Sequence, residues 1–254
     1  MFEWRRKVSD AKKLTGSVGE NAKNAAVDVK NVKTLLNSAA YLTGSKLLTV
    51  NDSMDTDTIS AIEIIQKVVL KFGHPDGRID PGGKTIKALN EINKQVNGSL
   101  IAWPLKQNVI RGRILNNTFG MVRNGGKKPH QGWDFEAKIG TPSFAVCYGK
   151  VVFVRDVGAY GKQLCISFIH NKKTYYAFYA HMKSISVSSG NIVTIKQRIG
   201  QTGNSGNAIT LPRSEDHLHF EIRTNAYAGL GLGGRVSPMK IYKKCPLKSP
   251  AIQN

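Results

Sequence analysis

The apolar periodicity changes once along the chain, and that change limits what it can fold into. Up to residue 96 the apolar side chains recur at helical spacing. From about residue 105 they fall in short β-branched and aromatic runs separated by Gly, Asn and Lys turns, as in FAVCYGKVVFVRD, QLCISFIH, TYYAFYAHM and HLHFEIR. In the first part, residues 1–20 are polar and basic and read as a loose lead-in. Residues 25–37 place Val29, Val32, Leu35 and Leu36 on one helical face. Thr56 or Asp57 is positioned to cap a second helix through residue 72, with Ile59, Ile62, Ile65, Val69 and Phe72 as its stripe. Residues 85–96 make a third, striped by Ile86, Leu89 and Ile92. The expected fold class is α+β in two domains. A small three-helix module spans 21–98, NGSLIAWP (97–104) leads out of it, and a mostly antiparallel β domain spans 103–240 before a basic tail, 241–254.

Charge follows the same division. The net charge is +20. Residues 1–99 carry 15 basic and 11 acidic side chains, whereas residues 100–254 carry 22 and 6, so the excess sits on the second domain. Such a field draws polyanions: nucleic acid, anionic lipid or cell-wall polymer. No helix–turn–helix, zinc-finger or RNA-recognition signature accompanies the scattered Lys and Arg, so nucleic acid is not the expected partner. No stretch approaches the roughly 18 apolar residues of a transmembrane segment. The start, MFEWRRKVSDAKKL, lacks the apolar region of a Sec signal peptide. Three cysteines, Cys147, Cys165 and Cys245, make neither a disulfide framework nor a zinc finger. A Cys147–Cys165 bridge stays open beside the preferred reading of buried thiols.

Four of the six histidines stand in chemically suggestive settings. In His130-Gln131-Gly132-Trp133-Asp134, an extended backbone points His130 and Asp134 the same way. In His217-Leu218-His219 two imidazoles share one strand face, so that one can bind a metal while the other moves a proton. His181 ends an aromatic strand, Tyr179-Ala180-His181. Two imidazoles and one carboxylate supply three protein donors and leave a fourth position for water, the pattern of a catalytic zinc.

Taken in order, HQGWD (130–134), YAHM (179–182) and HLHFEI (217–222) resemble the LytM/lysostaphin-type zinc metallopeptidases, which cut peptide bonds in peptidoglycan. FGMVR (119–123), GTPSFAVCYGKVV (140–152), AYGKQLCI (159–166) and GQTGNSG (200–206) extend the likeness over roughly 103–240. The resemblance implies Zn²⁺ held by His130, Asp134 and His219, with His181 and His217 as the catalytic pair. One departure is the polar insertion AITLPRSED ahead of HLHF, expected to reshape one wall of the site. Its Glu215 and Asp216 are expected to raise the pKa of His217. DGRIDPGGKTIKALN resembles the repeat of small three-helix peptidoglycan-binding domains, with VNDSMDTDTISAI as a weaker copy. An EF-hand is excluded there, because the later bidentate Glu is missing, and Asp76 and Asp80 read as carboxylates bonding turn amides.

These likenesses imply a peptidoglycan endopeptidase acting on stem-peptide cross-links, with D-alanyl–diaminopimelate preferred over glycine bridges. Read without an export signal, the chain is expected to be a type VI secretion effector acting in a rival's periplasm. Its partners would then be peptidoglycan, a cognate immunity protein and a secretion-system component. A phage tail or endolysin component, and a non-catalytic activator of amidases, are the alternatives.

Overall fold

The computed structural model describes residues 11–253, and the chain divides into two compact units, Met1–Leu100 and Ile101–Asn254. Half of the expected lead-in, residues 1–10, lies outside the described residues. Within the other half Val18 is fully buried, and Val18–Gly19 (β1) pairs antiparallel with Arg78–Ile79 (β2). The Thr15 amide and hydroxyl and the Gly16 amide all donate to the buried carboxylate of Asp28.

This unit contains three helices. Helix α1 (Ala26–Thr43) buries Val29, Val32, Leu35, Leu36, Ala39 and Leu42, a stripe at three- and four-residue steps. It runs six residues beyond its expected end, and the Gly44 N–H bonds the Ala40 carbonyl. Helix α2 (Thr56–Ile64) passes into a wider turn, Ile65–Val69, in which the Leu70 N–H reaches back to Ile65. Its cap is neither Thr56 nor Asp57 but Asp55, which accepts from the Thr58 amide at 2.8 Å and its hydroxyl at 2.6 Å. The reason is a second duty. Lys33 on α1 is completely buried, and its ammonium finds Asp55 at 2.6 Å and Asn51 at 2.7 Å. Helix α3 (Lys84–Val96) buries Ile86, Leu89 and Ile92 as expected. In the turn before it, Asp76 accepts the Arg78 amide, while Asp80 accepts the Arg78 guanidinium rather than an amide.

The second unit is built on antiparallel strands. Trp133–Glu136 (β3), Gly149–Asp156 (β4), Lys162–His170 (β5), Lys173–Ala180 (β6), Ile192–Val193 (β7), His217–Arg223 (β8) and Arg235–Val236 (β9) form a seven-stranded sheet. Its spatial order is β7-β4-β5-β6-β8-β9, with β3 pairing β8 beside β9. Strand β8 is therefore flanked on both edges, and all seven of its residues are buried. Leu218, Phe220 and Ile222 join Trp133, Phe135, Ala177 and Tyr179 in the main core. The alternate residues of β8, His217, His219, Glu221 and Arg223, therefore share the opposite face. Cys147 and Cys165 are buried free thiols, and burial raises the pKa of Cys165 to about 12. Among the described residues no helix is long and apolar enough to cross a membrane.

Lys33 and Asp55 give the first testable outcome. The Lys33 ammonium holds the Asp55 carboxyl at about 2, against an ordinary 3.8, with the Thr58 hydroxyl assisting. A carboxylate lowered by folding stabilises the fold above its unfolded pKa, and this contribution is lost as pH falls from about 4 toward 2. Asp55→Asn should lower the unfolding temperature at pH 7 and flatten its fall between pH 4 and 2 relative to wild type. Asp55→Ala should cost about 1–2 kcal/mol through the lost cap alone. Thermal unfolding followed by circular dichroism across that pH range checks both.

Candidate metal centre

Strand register brings the first pair of candidate residues together. His219 on β8 lies directly opposite Asp134 on β3, and His217 opposite Glu136. Cross-strand partners have side chains on one face of the sheet, so the His219 and Asp134 side chains meet without any loop adjustment. His130 follows from the close approach at Gly132, where an added Cβ would sit 2.3 Å from the Phe220 carbonyl oxygen. No other residue fits there, and the chain turns tightly enough to present His130 beside Asp134.

The three donors are His130 Nε2, Asp134 Oδ1 and His219 Nδ1, and all three side chains are buried. Nε2 of His130 lies 3.1 Å from Oδ1 and 3.3 Å from Nδ1 of His219, which is itself 2.7 Å from Oδ1. Donors bound to one tetrahedral zinc at about 2.0–2.1 Å stand roughly 3.3 Å apart, so this set fits Zn²⁺. The remaining ring nitrogens are already committed. His130 donates Nδ1–H to the Thr118 carbonyl at 2.9 Å, and His219 donates Nε2–H to Glu221 Oε1 at 2.9 Å. Each ring therefore directs its other nitrogen to the common point. The second oxygen of Asp134 is held by Arg123 at 2.9 Å, with Arg111 at 3.6 Å.

Burial and pairing set the charge states. Burial opposes ionisation of Asp134, but hydrogen bonds from His130 and His219 outweigh it and hold the carboxyl well below its usual range. Burial likewise opposes a charged His219, yet Asp134 and Glu221 on either side of the ring raise its pKa to about 9. The centre is thus electrostatically prepared for a cation shared between Nδ1 and Oδ1. Glu221 is kept ionised despite its burial by His219, Arg223 and Arg235.

His181 and His217 stand beside the three donors, their ring centroids 4.9 Å apart. His181 sits just past β6 in a left-handed conformation (φ 57°), a strained position for a side chain of this size. Its N–H bonds the Tyr160 carbonyl at 3.0 Å, and its Nδ1–H bonds the Ser205 carbonyl at 2.9 Å. Gly161 and Gly206, both at positive φ, let these two loops touch, since an added Cβ on Gly161 would lie 2.3 Å from the Gly206 nitrogen. His217 donates its Nδ1–H to the Glu215 carbonyl at 2.8 Å. A carbonyl can only accept, so His181 carries its proton on Nδ1. So does His217, whose 2.8 Å contact to the Glu215 carbonyl is shorter than the 3.3 Å approach of Arg111 Nη1 to the same nitrogen. Both rings present an unprotonated Nε2. That of His217 is 3.9 Å from Asp134 Oδ1.

The expected rise in the pKa of His217 is not found. Burial lowers it and the nearby Arg111 guanidinium adds to this, against the pull of Asp134. The Glu215 carboxylate is spent on Arg111 at 3.0 Å, and only the Glu215 backbone reaches the ring. The insertion folds into two helical turns, Gly206–Thr210 and Arg213–Glu215. His181 is pushed further, down to about 3, by burial and the neighbouring His219 and His217. Arg111, Arg123, Tyr160, Glu221 and Arg235 are site residues that sequence reasoning missed. Only Glu221 carried a signal, by continuing the two-residue period of His217 and His219.

Residues 128–229 match peptidase family M23. The likeness to LytM/lysostaphin-type peptidases is thereby supported over this M23 stretch. Peptidoglycan DD-endopeptidase ShyA of Vibrio cholerae is 38% identical over 94 residues, 37% of this chain and 20% of ShyA. Glycyl-glycine endopeptidase ALE-1 of Staphylococcus capitis is 34% identical over 105 residues, 41% of this chain and 27% of that protein. The chain thus spans only about a fifth to a quarter of the length of these curated relatives. The solved catalytic domain of lysostaphin from Staphylococcus simulans is 27% identical, covering 50% of this chain and 88% of that one, with a TM-score of 0.40.

Glu221→Gln in the second unit removes the charge that neutralises two buried arginines. It should cost about 3–5 kcal/mol of stability. It should also weaken zinc binding about 10- to 100-fold by loosening His219. Denaturant unfolding and chelator competition measure the two effects separately.

Proposed function

We propose that this chain is a zinc-dependent endopeptidase that hydrolyses peptide cross-links in peptidoglycan. The observation that carries the proposal is the convergence of His130 Nε2, Asp134 Oδ1 and His219 Nδ1, with the imidazoles of His181 and His217 beside them. The match of residues 128–229 to family M23, and relatives named as peptidoglycan and glycyl-glycine endopeptidases, support it.

In this proposal His130, Asp134 and His219 hold the zinc, which supplies Lewis-acid polarisation and water activation. His217 is the general base. Its Nε2 accepts the proton of the attacking water while Nδ1–H stays anchored on the Glu215 carbonyl, and it returns the proton to the leaving amine. His181 presents an acceptor too. With Nδ1–H on Ser205 and its charge opposed by burial, it accepts a hydrogen bond from the water or a substrate N–H. A role as oxyanion donor would need a second proton on that ring. The filled donor set speaks against a non-catalytic amidase activator.

The scissile bond we favour is D-alanyl–diaminopimelate, in line with the DD-endopeptidases among the relatives. The narrower proposal is an antibacterial effector with a cognate immunity protein. The first unit would be its peptidoglycan-binding module, on the likeness of DGRIDPGGKTIKALN. A phage tail or endolysin component would use the same chemistry.

His130→Ala and His219→Ala should abolish both zinc binding and release of muropeptides from sacculi. His217→Ala should keep its zinc and lose about 10²- to 10⁴-fold in turnover. Metal analysis and mass spectrometry of the released muropeptides give both readouts and the bond cut. Full zinc content in the His130 or His219 variant overturns the ligand assignment. Products cut only at glycine bridges overturn the favoured bond. Directed to the periplasm of a Gram-negative host, the wild-type chain should lyse cells and the His219→Ala chain should not.

A further inference from the structure

We propose that Arg235 is a positioning residue that couples the glycine-rich loop 225–234 to the metal ligand His219. The coupling rests on the metal centre proposed above. It runs through three side chains. His219 donates to Glu221 Oε1 at 2.9 Å, and Arg235 Nε donates to Glu221 Oε2 at 2.7 Å. From the same guanidinium, Nη1 reaches the carbonyls of Gly229 at 2.9 Å and of Gly231 and Gly233, both at 3.1 Å. The Arg235 side chain is fully buried. One planar cation therefore holds both the carboxylate that orients a metal ligand and three backbone carbonyls of a single loop.

The loop is packed at its start, where Ala226 is buried and Tyr227 stacks on Phe153 at 5.4 Å with the Arg155 guanidinium over its ring. Beyond Tyr227 it has few other means of ordering itself. Its sequence, NAYAGLGLGG, is rich in residues without a side chain to pack, and Leu230 is 97% exposed. Its base is closed by the Thr224 and Asn225 amides on the Gly234 carbonyl. Its start is held by Arg223, whose Nη1 donates to the Ala226 carbonyl at 3.0 Å. Arg223 is also the second cation on Glu221. Both arginines that neutralise Glu221 thus direct further donors to this loop, and Arg235 Nη2 also reaches the Tyr160 hydroxyl at 3.4 Å. A cation bound through His219 Nδ1 strengthens the Nε2–H bond to Glu221 and fixes that carboxylate. A fixed carboxylate fixes the Arg235 fork, and the fork fixes the loop. By linkage, whatever orders the loop from outside tightens the metal centre by the same factor.

The test uses the full chain, with Zn²⁺ alone as the probe. Amide hydrogen exchange over 226–234 is measured with and without zinc, and zinc affinity by chelator competition, in wild type, Arg235→Gln and Arg235→Lys. In wild type, zinc should slow exchange of the loop amides severalfold. Arg235→Gln should lose that zinc-dependent slowing and bind zinc about 10-fold more weakly. Arg235→Lys keeps a charge for Glu221 but cannot serve three carbonyls as well. It should hold zinc within about twofold of wild type and still lose the slowing, which a merely structural residue would not separate. Full zinc-dependent slowing in Arg235→Lys, or wild-type loop exchange indifferent to bound zinc, overturns the coupling alone. A wild-type chain that takes up no zinc overturns the metal centre and the coupling with it.

Discussion

Strand β8 buries charge on one of its faces, and the second unit is arranged around that fact. A carboxylate or guanidinium taken out of water costs several kcal/mol unless opposite charge and hydrogen bonds replace the lost hydration. His219, Glu221 and Arg223 are all almost completely buried on this face, with Asp134 and Arg235 beside them. The cost is met by alternation of sign through space, Arg123 to Asp134 to His219 to Glu221 to Arg223 and Arg235. Glu221 and Asp134 are the members on which the rest converge, and removing either carboxylate strands buried cations. That dependence requires β8 to lie inside the sheet, with β3 on one edge supplying Asp134 and β9 supplying Arg235.

The opposite face of β8 does different work. Leu218, Phe220 and Ile222 lock the strand to the core, where Trp133 and Phe135 of β3 are packed as well. Because the side-chain period of a strand is two, the register that buries these apolar groups also sets His219 opposite Asp134. A slip of one residue would expose the core residues and disperse the donors together. Precision at the metal centre is thus carried by hydrophobic packing one residue away along the chain.

This explains why some residues could be read from the sequence and others could not. The i to i+4 spacing of His130 and Asp134 found the right pair for the wrong reason. The backbone is not extended between them but bends at Gly132, from the strand Lys128–His130 to Trp133–Glu136 of another sheet. His217 and His219 do obey a local spacing rule, i to i+2 on an extended backbone. Glu221 and Arg223 obey the same rule, continuing His-Leu-His-Phe-Glu-Ile-Arg, and their period was as legible as the histidines'. Arg111, Arg123, Tyr160 and Arg235 reach the site from loops or other strands. Arg123 and Tyr160 lie within FGMVR and AYGKQLCI, but no periodicity aims any of the four at the site. In the first unit the helical stripes were legible for the same reason. The pairing of Val18 with Ile79 was not, because one buried apolar residue in a polar stretch has no periodicity to reveal it. The cap at Asp55 was missed because its choice over Thr56 and Asp57 is decided by Lys33, 22 residues away.

The same side chain has its pKa shifted in opposite directions within this one site, and the contrast follows from what each ring touches. His181 and His219 have centroids 6.0 Å apart, and both are buried. His219 lies between two carboxylates, Asp134 and Glu221, which raise its pKa to about 9. His181 bonds a carbonyl and lies beside two other imidazoles, with a weaker pull from Asp134 than His219 feels, and falls to about 3. Burial alone would push both down. The difference is therefore made by Asp134 and Glu221, and the sheet aims both at His219 and neither at His181. One imidazole is thereby fitted to share a cation, and its neighbour to stay neutral with a lone pair on Nε2. In the proposed hydrolysis the first ring would hold the metal and the second would accept a hydrogen bond, while the proton itself would move on His217.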